Sequence, residues 1–317
     1  KEEGYEVEKV GYGSFEEANI GEPVQKNKKE KNIGELGYII GRTDYPSEQL
    51  PWNIEMMGAP GRGGSGVKIA VLDSGVDINH PDLDVTICKD TTKQGVQDGC
   101  SDSGGHGTHV VGIISADGGD DGLGIYGVAP EAELWMIKVC TRNGCLWDDV
   151  AEGIYYATNN GADIISMSFS GPSGNIQLEE AIEYAYNNGV LLVSISGNSG
   201  PVDGSIEYPG AYEEVVAVGA IWNNEQVWDF SSRGINDGDY LIEPREVEFA
   251  APGLVIESTT DGGGYGLMSG TSMAAAHVSG MAAKVWRGDA ASTRLFLQFL
   301  AKSHDLYTPG DDSASGF

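Results

Sequence analysis

Three polar residues stand out by what surrounds them. Asp73 closes an apolar run in "VLDSGVD", His106 sits in "GGHGTHVVG", and Ser272 sits in "SGTSMAAAHVSG". Each is framed by glycine where an apolar segment begins or ends. A serine hydroxyl is a weak nucleophile until a neighbouring base takes its proton. A histidine does that near neutral pH, and a buried carboxylate fixes the imidazole tautomer and steadies its cation. An Asp, a His and a Ser brought together therefore have the chemistry of acyl transfer. Alone, each has a plainer role. Asp73 could cap a turn, and Ser272 could be a helix N-cap. His106 and His109, three apart, could offer one helix face to a metal that finds a third ligand nearby. The three motifs together, in this order, favour the joint reading.

Such side chains meet only if the intervening chain folds to bring strand ends together. Apolar, β-rich runs lie at 67–75, 134–140, 163–170, 190–198 and 214–221. Between them, "DDVAEGIYYATNNG" and "LEEAIEYAYNNG" carry apolar residues at helical spacing. Both end in Asn-Asn-Gly, a helix stop signal. Nearly continuous apolar strands alternating with helices imply an α/β fold, a three-layer αβα arrangement with a mostly parallel central sheet. Sites in such folds gather at the carboxyl ends of the strands. With 317 residues, 40% of them hydrophobic, the chain can bury a large core. Residues 1–45 differ from the rest, being charged and Gly-rich with the run "QKNKKEKN". They read as an N-terminal extension or pro-segment remnant ahead of a domain at 46–317.

The net charge of −29 lacks the basic footprint of a nucleic-acid binder, and nucleic acid is excluded as a partner. Such acidity suits a solvated surface in salty, acidic or calcium-rich surroundings. No stretch reaches eighteen apolar residues, so no membrane-spanning helix is expected. No signal-peptide pattern opens at Lys1, and a first residue other than Met is consistent with removal of an upstream segment. The four cysteines form two close pairs, Cys88 with Cys100 and Cys140 with Cys145, without zinc-type C-x-x-C spacing. Two local disulfides are the simplest reading and favour an oxidising compartment; free buried thiols in a cytoplasmic protein are the alternative.

With these motifs the chain resembles the subtilisin-like serine proteases, the subtilases. The resemblance rests on "VLDSGVDINHPDL", "GHGTHVVGII", "YGVAPEAELWMIKV", "ISMSFSGP", "SGNSG", "YPGAY", "FSSRG", "FAAPG" and "GTSMAAAHVSG", spread over about residues 47–285. The order Asp, His, Ser is that of subtilisin. The resemblance implies a serine endopeptidase with Asp73, His106 and Ser272 as its triad. It also implies Asn198 as a side-chain donor to the oxyanion, with the Ser272 backbone N–H as the second donor. One position departs from the family: Ala276 stands where proline is usual. Alanine should leave the helix straighter and shift Ser272 slightly. Gly270 is expected to let the backbone turn tightly ahead of Ser272.

The family binds peptide as an added strand between two cleft segments. Here these would be "NGCL", with Gly144, Cys145 and Leu146, and "SFSG", with Ser168, Phe169, Ser170 and Gly171. Glu207 matches the S1 floor and would favour a basic P1 residue; Asp102 matches the S2 wall and would favour a basic P2. The resemblance further implies a calcium site in "DGGDDGLGIYGVAP". Its ligands would be the side chains of Glu48, Asp82 and Asp121 and the carbonyls of Gly119, Leu123 and Ile125. The family more often has glutamine at the position of Glu48. Autoprocessing would fall near residues 45–47, with the pro-segment as inhibitor. A secreted monomer acting on peptides or proteins is expected. The rivals are a catalytically silent binding protein and an intracellular subtilase.

Overall fold

The structure, a computed structural model, describes residues 6–7, 40–59, 61–304, 306 and 310–316. Most of the expected extension, 1–5 and 8–39, lies outside the described residues. In chain order the elements are β1 (Glu6–Val7), β2 (Ile40–Thr43), α1 (Trp52–Met56), β3 (Lys68–Asp73), β4 (Val85–Asp90) and β5 (Gln97–Asp98). Next come α2 (His106–Ser115), β6 (Glu133–Lys138), β7 (Cys140–Thr141), β8 (Gly144–Leu146), α3 (Trp147–Asn159), β9 (Ile164–Met167), α4 (Ile176–Asn187) and β10 (Leu191–Ile195). The rest are β11 (Val215–Ile221), β12 (Phe249–Pro252), β13 (Ile256–Thr260), β14 (Gly264–Met268), α5 (Thr271–Lys284) and α6 (Ala290–Ala301).

Eight strands form one sheet in the order β12-β11-β10-β9-β3-β6-β4-β5, parallel except for the β4–β5 pair. The unbroken apolar runs of the inner strands follow from burial on both faces. Ile69 and Val71 of β3 join a core with α2 and α5, whereas Ala70 and Leu72 point into a second core under α3 and α4. This alternation is the two-residue period of a strand sandwiched by helices. Both Asn-Asn-Gly stops hold: α3 and α4 end at Asn159 and Asn187, and Gly161 and Gly189 take φ of 83° and 80°. After β3 the chain crosses to β4 and β6, then returns through α3 to β9 on the other side of β3. The carboxyl ends of β3 and β9 therefore flank a topological switch point, where such folds place ligands.

Two small sheets were not legible in the apolar runs. β13, β14 and β2 form an antiparallel ribbon, whose Gly-rich hairpin breaks the hydrophobic pattern. Pairing of β2 with β14 brings Ile40–Thr43 into the folded body, ahead of the expected boundary at 46. The third sheet, β1-β8-β7, is described below. Disulfides link Cys88 to Cys100 and Cys140 to Cys145.

The small residues of α5 are explained by packing. Residues 271–280 are all buried, between the sheet and α2. A Cβ on Gly280 would stand 2.7 Å from Val128 Cβ, so the helix approaches its neighbour at backbone distance. Ala276 is fully buried in a helix that runs unbroken to Lys284. The expectation for Gly270 is corrected. Its φ of 160° is extended backbone, and a Cβ there would meet nothing nearer than 3.8 Å.

Candidate active site

Asp73 is the last residue of β3 and His106 the first of α2. Both are buried, and His106 Nδ1 lies 2.8 Å from Asp73 Oδ1. A carboxylate only accepts, so Nδ1 carries the proton and Nε2 is the basic end. Asp73 Oδ1 also accepts from the Ser74 N–H at 2.6 Å. The His106 loop is held by Asp102. Its Oδ1 accepts from Ser74 Oγ (2.8 Å), Gly104 N (3.0 Å) and Gly105 N (2.9 Å). Its Oδ2 accepts from Thr108 N (2.9 Å) and Thr108 Oγ1 (2.6 Å). Asp102 thus takes the Gly105 and Thr108 N–H groups at the start of α2, with Ser74 Oγ taking that of Gly107, which Gly105 as N-cap has no side chain to do. This role was not read from the sequence; an Asp four residues before a helix-opening His is the signal.

His109 is not placed for metal. Its Nε2 lies 3.1 Å from the carbonyls of Ile256 and Gly266, so it carries a proton and ties α2 to the β13–β14 ribbon. Burial lowers its pKa to about 3, keeping the ring neutral.

Ser272 occupies the second position of α5, where backbone N–H groups have no intrahelical partner. Its Oγ donates to Ser168 O at 3.2 Å, and Ser168 Oγ donates back to Ser272 O at 3.3 Å. Ser168 directly follows β9, across the switch point from Asp73. Asn198 Oδ1 accepts from Thr271 N (3.1 Å) and Thr271 Oγ1 (3.0 Å). These bonds fix the amide orientation and leave its NH₂ as the donating end. Asn198, Ser168 and Ser272 therefore form one cluster; Thr271 was missed because it reads only as a helix starter.

Glu207 is half-buried. Ser170 Oγ donates to its Oε2 (2.5 Å) and Ser199 Oγ to its Oε1 (2.6 Å). Gly171 pairs with Tyr208, joining the 168–171 segment to the Glu207 loop. Among the described residues no Lys or Arg pairs with Glu207. Phe169 is buried against Trp147. Gly144, Cys145 and Leu146 form β8 on a separate sheet, with Leu146 exposed.

The residues suggested for calcium fit a hard cation in part. Asp82 is buried, and its Oδ2 accepts from Ile125 N (2.8 Å) and Tyr265 Oη (2.7 Å). Its Oδ1 faces the loop so closely that a Cβ on Gly124 would come within 2.0 Å of it. The carbonyls of Gly119 and Ile125 take turn hydrogen bonds from Gly122 and Gly118, and each keeps a second lone pair. Leu123 is exposed. Asp121 instead accepts from the Leu123 N–H through Oδ1, and Glu48 is exposed. The side chain that reaches the loop is that of Gln49, which donates to the Gly122 carbonyl. No group of three or more His, Cys, Asp or Glu gathers into a metal cluster among the described residues. One buried carboxylate and glycine-freed carbonyls match calcium chemistry; three converging carboxylates are not present.

The comparisons agree with this fold. The profile of the subtilase family matches residues 64–300. The subtilisin of Bacillus sp. (strain TA39) is 43% identical, over 92% of this chain and 79% of that protein. An intracellular serine protease of Paenibacillus polymyxa is 38% identical, over 81% of this chain and 78% of that one. Among solved structures, that of sphericase superposes with a TM-score of 0.82 at 44% identity, covering 86% of this chain and 97% of that one. The chain belongs to the subtilase family. It is a subtilisin-like serine endopeptidase, a hydrolase of peptide bonds.

Proposed function

We propose that Asp73, His106 and Ser272 are the catalytic triad, and the observation that carries this reading is the buried 2.8 Å bond between His106 Nδ1 and Asp73 Oδ1. With Nδ1 protonated, Nε2 takes the Ser272 proton as the hydroxyl leaves Ser168 O and attacks the scissile carbonyl. The tetrahedral oxyanion accepts from the Ser272 N–H and the Asn198 NH₂. His106 then gives the proton to the leaving amine, and water hydrolyses the acyl-enzyme by the same route in reverse. Asp73, accepting from Nδ1–H, steadies the imidazolium.

Substrate adds as a strand to β8 and to the 168–171 segment. One feature supports this: β1 already lies antiparallel on β8, with Glu6 opposite Leu146 and Val7 opposite Cys145. The N-terminal extension thereby acts as an inhibitor of its own cleft. Glu207, fixed by two serine hydroxyls and without a cation partner among the described residues, selects Lys or Arg at P1. Asp102 adds a basic P2 preference only through its charge, since its oxygens already hold the His106 loop. Replacing Glu207 by Gln should cut kcat/KM for a P1 Arg peptide at least about tenfold and leave P1 Leu unchanged. Equal rates for both peptides in the parent would remove the assignment.

Calcium would be held by Asp82 and the Gly119, Leu123 and Ile125 carbonyls, with Asp121 and Glu48 turning inward to complete the shell. When bound it supplies rigidity and no chemistry to the reaction. The two disulfides favour a secreted enzyme. The test is fluorophosphonate labelling of the chain and of Ser272→Ala, with calcium and with EDTA, alongside melting temperatures. Labelling of the parent only, faster after trimming to begin at Ile40, and a lower Tm in EDTA are expected. A folded, trimmed chain that does not label would mean a silent site.

A further inference from the structure

Lys138 is a cation in an unexpected place. It ends β6, between β3 and β4, with Asp73 opposite it on one side and Asp90 on the other. It is only 8% exposed. Burying an ammonium is costly unless its protons find acceptors. Its Nζ donates to Ser74 O at 2.5 Å and to Ser101 O at 2.9 Å. Those carbonyls belong to two different loops. Ser74 follows Asp73, while Ser101 precedes Asp102, whose carboxylate holds the helix start that carries His106. Burial lowers the Lys138 pKa, Asp102, Asp90 and Asp73 oppose that shift, and Lys93 adds to it.

We propose that Lys138 is a positioning residue for the Asp73–His106 pair: its ammonium clamps the Ser74 and Ser101 carbonyls together and so sets the relation between the strand end bearing Asp73 and the loop bearing His106. This rests on the triad reading above. A neutral side chain of similar size would leave the Ser101 carbonyl without this donor and the Ser74 carbonyl with Ser103 alone, and so release that clamp. It would also remove a positive charge that acts on Asp73, the carboxylate bonded to the imidazole. A cation acting on that carboxylate offsets its pull on an imidazolium, so loss of the cation should move the acid limb to higher pH. The groups facing this ammonium are Asp73 from β3, Asp90 from β4, Asp102 from the loop, and Lys93; all but Lys93 are acidic.

The experiment compares the parent, Lys138→Met, Lys138→Arg and Ser272→Ala on one peptide substrate, with active sites titrated. Lys138→Met is expected to lower kcat roughly 10- to 100-fold, the scale of a small misplacement, with KM within about twofold. The acid limb of its kcat/KM profile should move to higher pH. Lys138→Arg keeps the charge, so its acid limb should coincide with the parent's and most of the rate should return. Should Lys138→Met not fold, Lys138→Gln, which still donates to one carbonyl, carries the same comparison. A folded neutral variant with parental kcat per titrated site and an unmoved acid limb overturns the proposal, even with a lowered Tm. Turnover by Ser272→Ala would instead overturn the triad reading, and the Lys138 role with it. An inactive Ser272→Ala beside an unaffected Lys138→Met would overturn the Lys138 role alone.

Discussion

Asn198 shows how much of this site depends on single atoms. Thr271 holds its Oδ1 through both a backbone N–H and a hydroxyl, and a flipped amide would turn its NH₂ against a backbone N–H that can only donate. An NH₂ fixed before the reaction costs no reorganisation when charge develops. Asn198→Ala should therefore lower kcat about 10²- to 10³-fold, a magnitude known for subtilisin itself, and leave KM nearly unchanged. Equal losses in binding and turnover would mean that Asn198 contacts the ground-state substrate instead. At this scale the residues proposed as the triad could be singled out because they sit in glycine-framed motifs of specific composition. Lys138 and Asp102 were not legible in their structural roles, because they act through backbone carbonyls and N–H groups that no side-chain pattern records. Gln49 was hidden for the same reason: its target is the Gly122 carbonyl.

The elements that carry the site depend on close packing, and α5 is the test. Its apolar residues are small because the helix lies buried between sheet and α2, not because its start needs a glycine turn. Gly270 is extended, whereas Gly280 is sterically required: a Cβ there meets Val128 at 2.7 Å and the Ile114 carbonyl at 3.3 Å. Gly280→Ala should therefore destabilise by roughly 1–3 kcal/mol through overpacking, despite the higher helix propensity of alanine. A thermal melt reads this directly, and a raised Tm would show that Val128 gives way. The parallel sheet and its helices were legible because burial on both faces writes long apolar runs and stop signals into the sequence. The β13–β14 ribbon and β2 were not, since Gly262, Gly263 and Gly264 interrupt the alternation and β2 finds its partner more than two hundred residues away. Pairing of β1 with β8 was not legible, since a two-residue strand carries no alternation to read.

The charge of the whole molecule, −29, makes its stability a question of screening and protonation. Self-repulsion of that size weakens the compact state and should be relieved by salt. Protonation acts locally and in two directions. His109 and His277 are fully buried with pKa values lowered to about 3 and about 4, burial being the main cause. Their unfolded forms bind protons below about 6.5 while the folded forms do not, so stability falls as pH drops from there. Glu246 works the other way. Burial is the largest cause of its rise from 4.5 to about 7, against a hydrogen bond from Glu243 N, with Asp311, Glu243 and Asp237 adding repulsion. Between those values the folded protein holds a proton that the unfolded chain has lost. Stability from this group is therefore present at low pH, declines as pH rises from about 4.5, and is gone above about 7. Glu246→Gln keeps an acceptor for Glu243 N and cannot ionise. Its Tm should match the parent near pH 4.5, exceed it increasingly up to about pH 7, and keep a constant margin beyond. Parallel melting curves over that range would show that the Glu246 carboxylate finds water or a cation once ionised, and would return the pH dependence to the buried histidines alone.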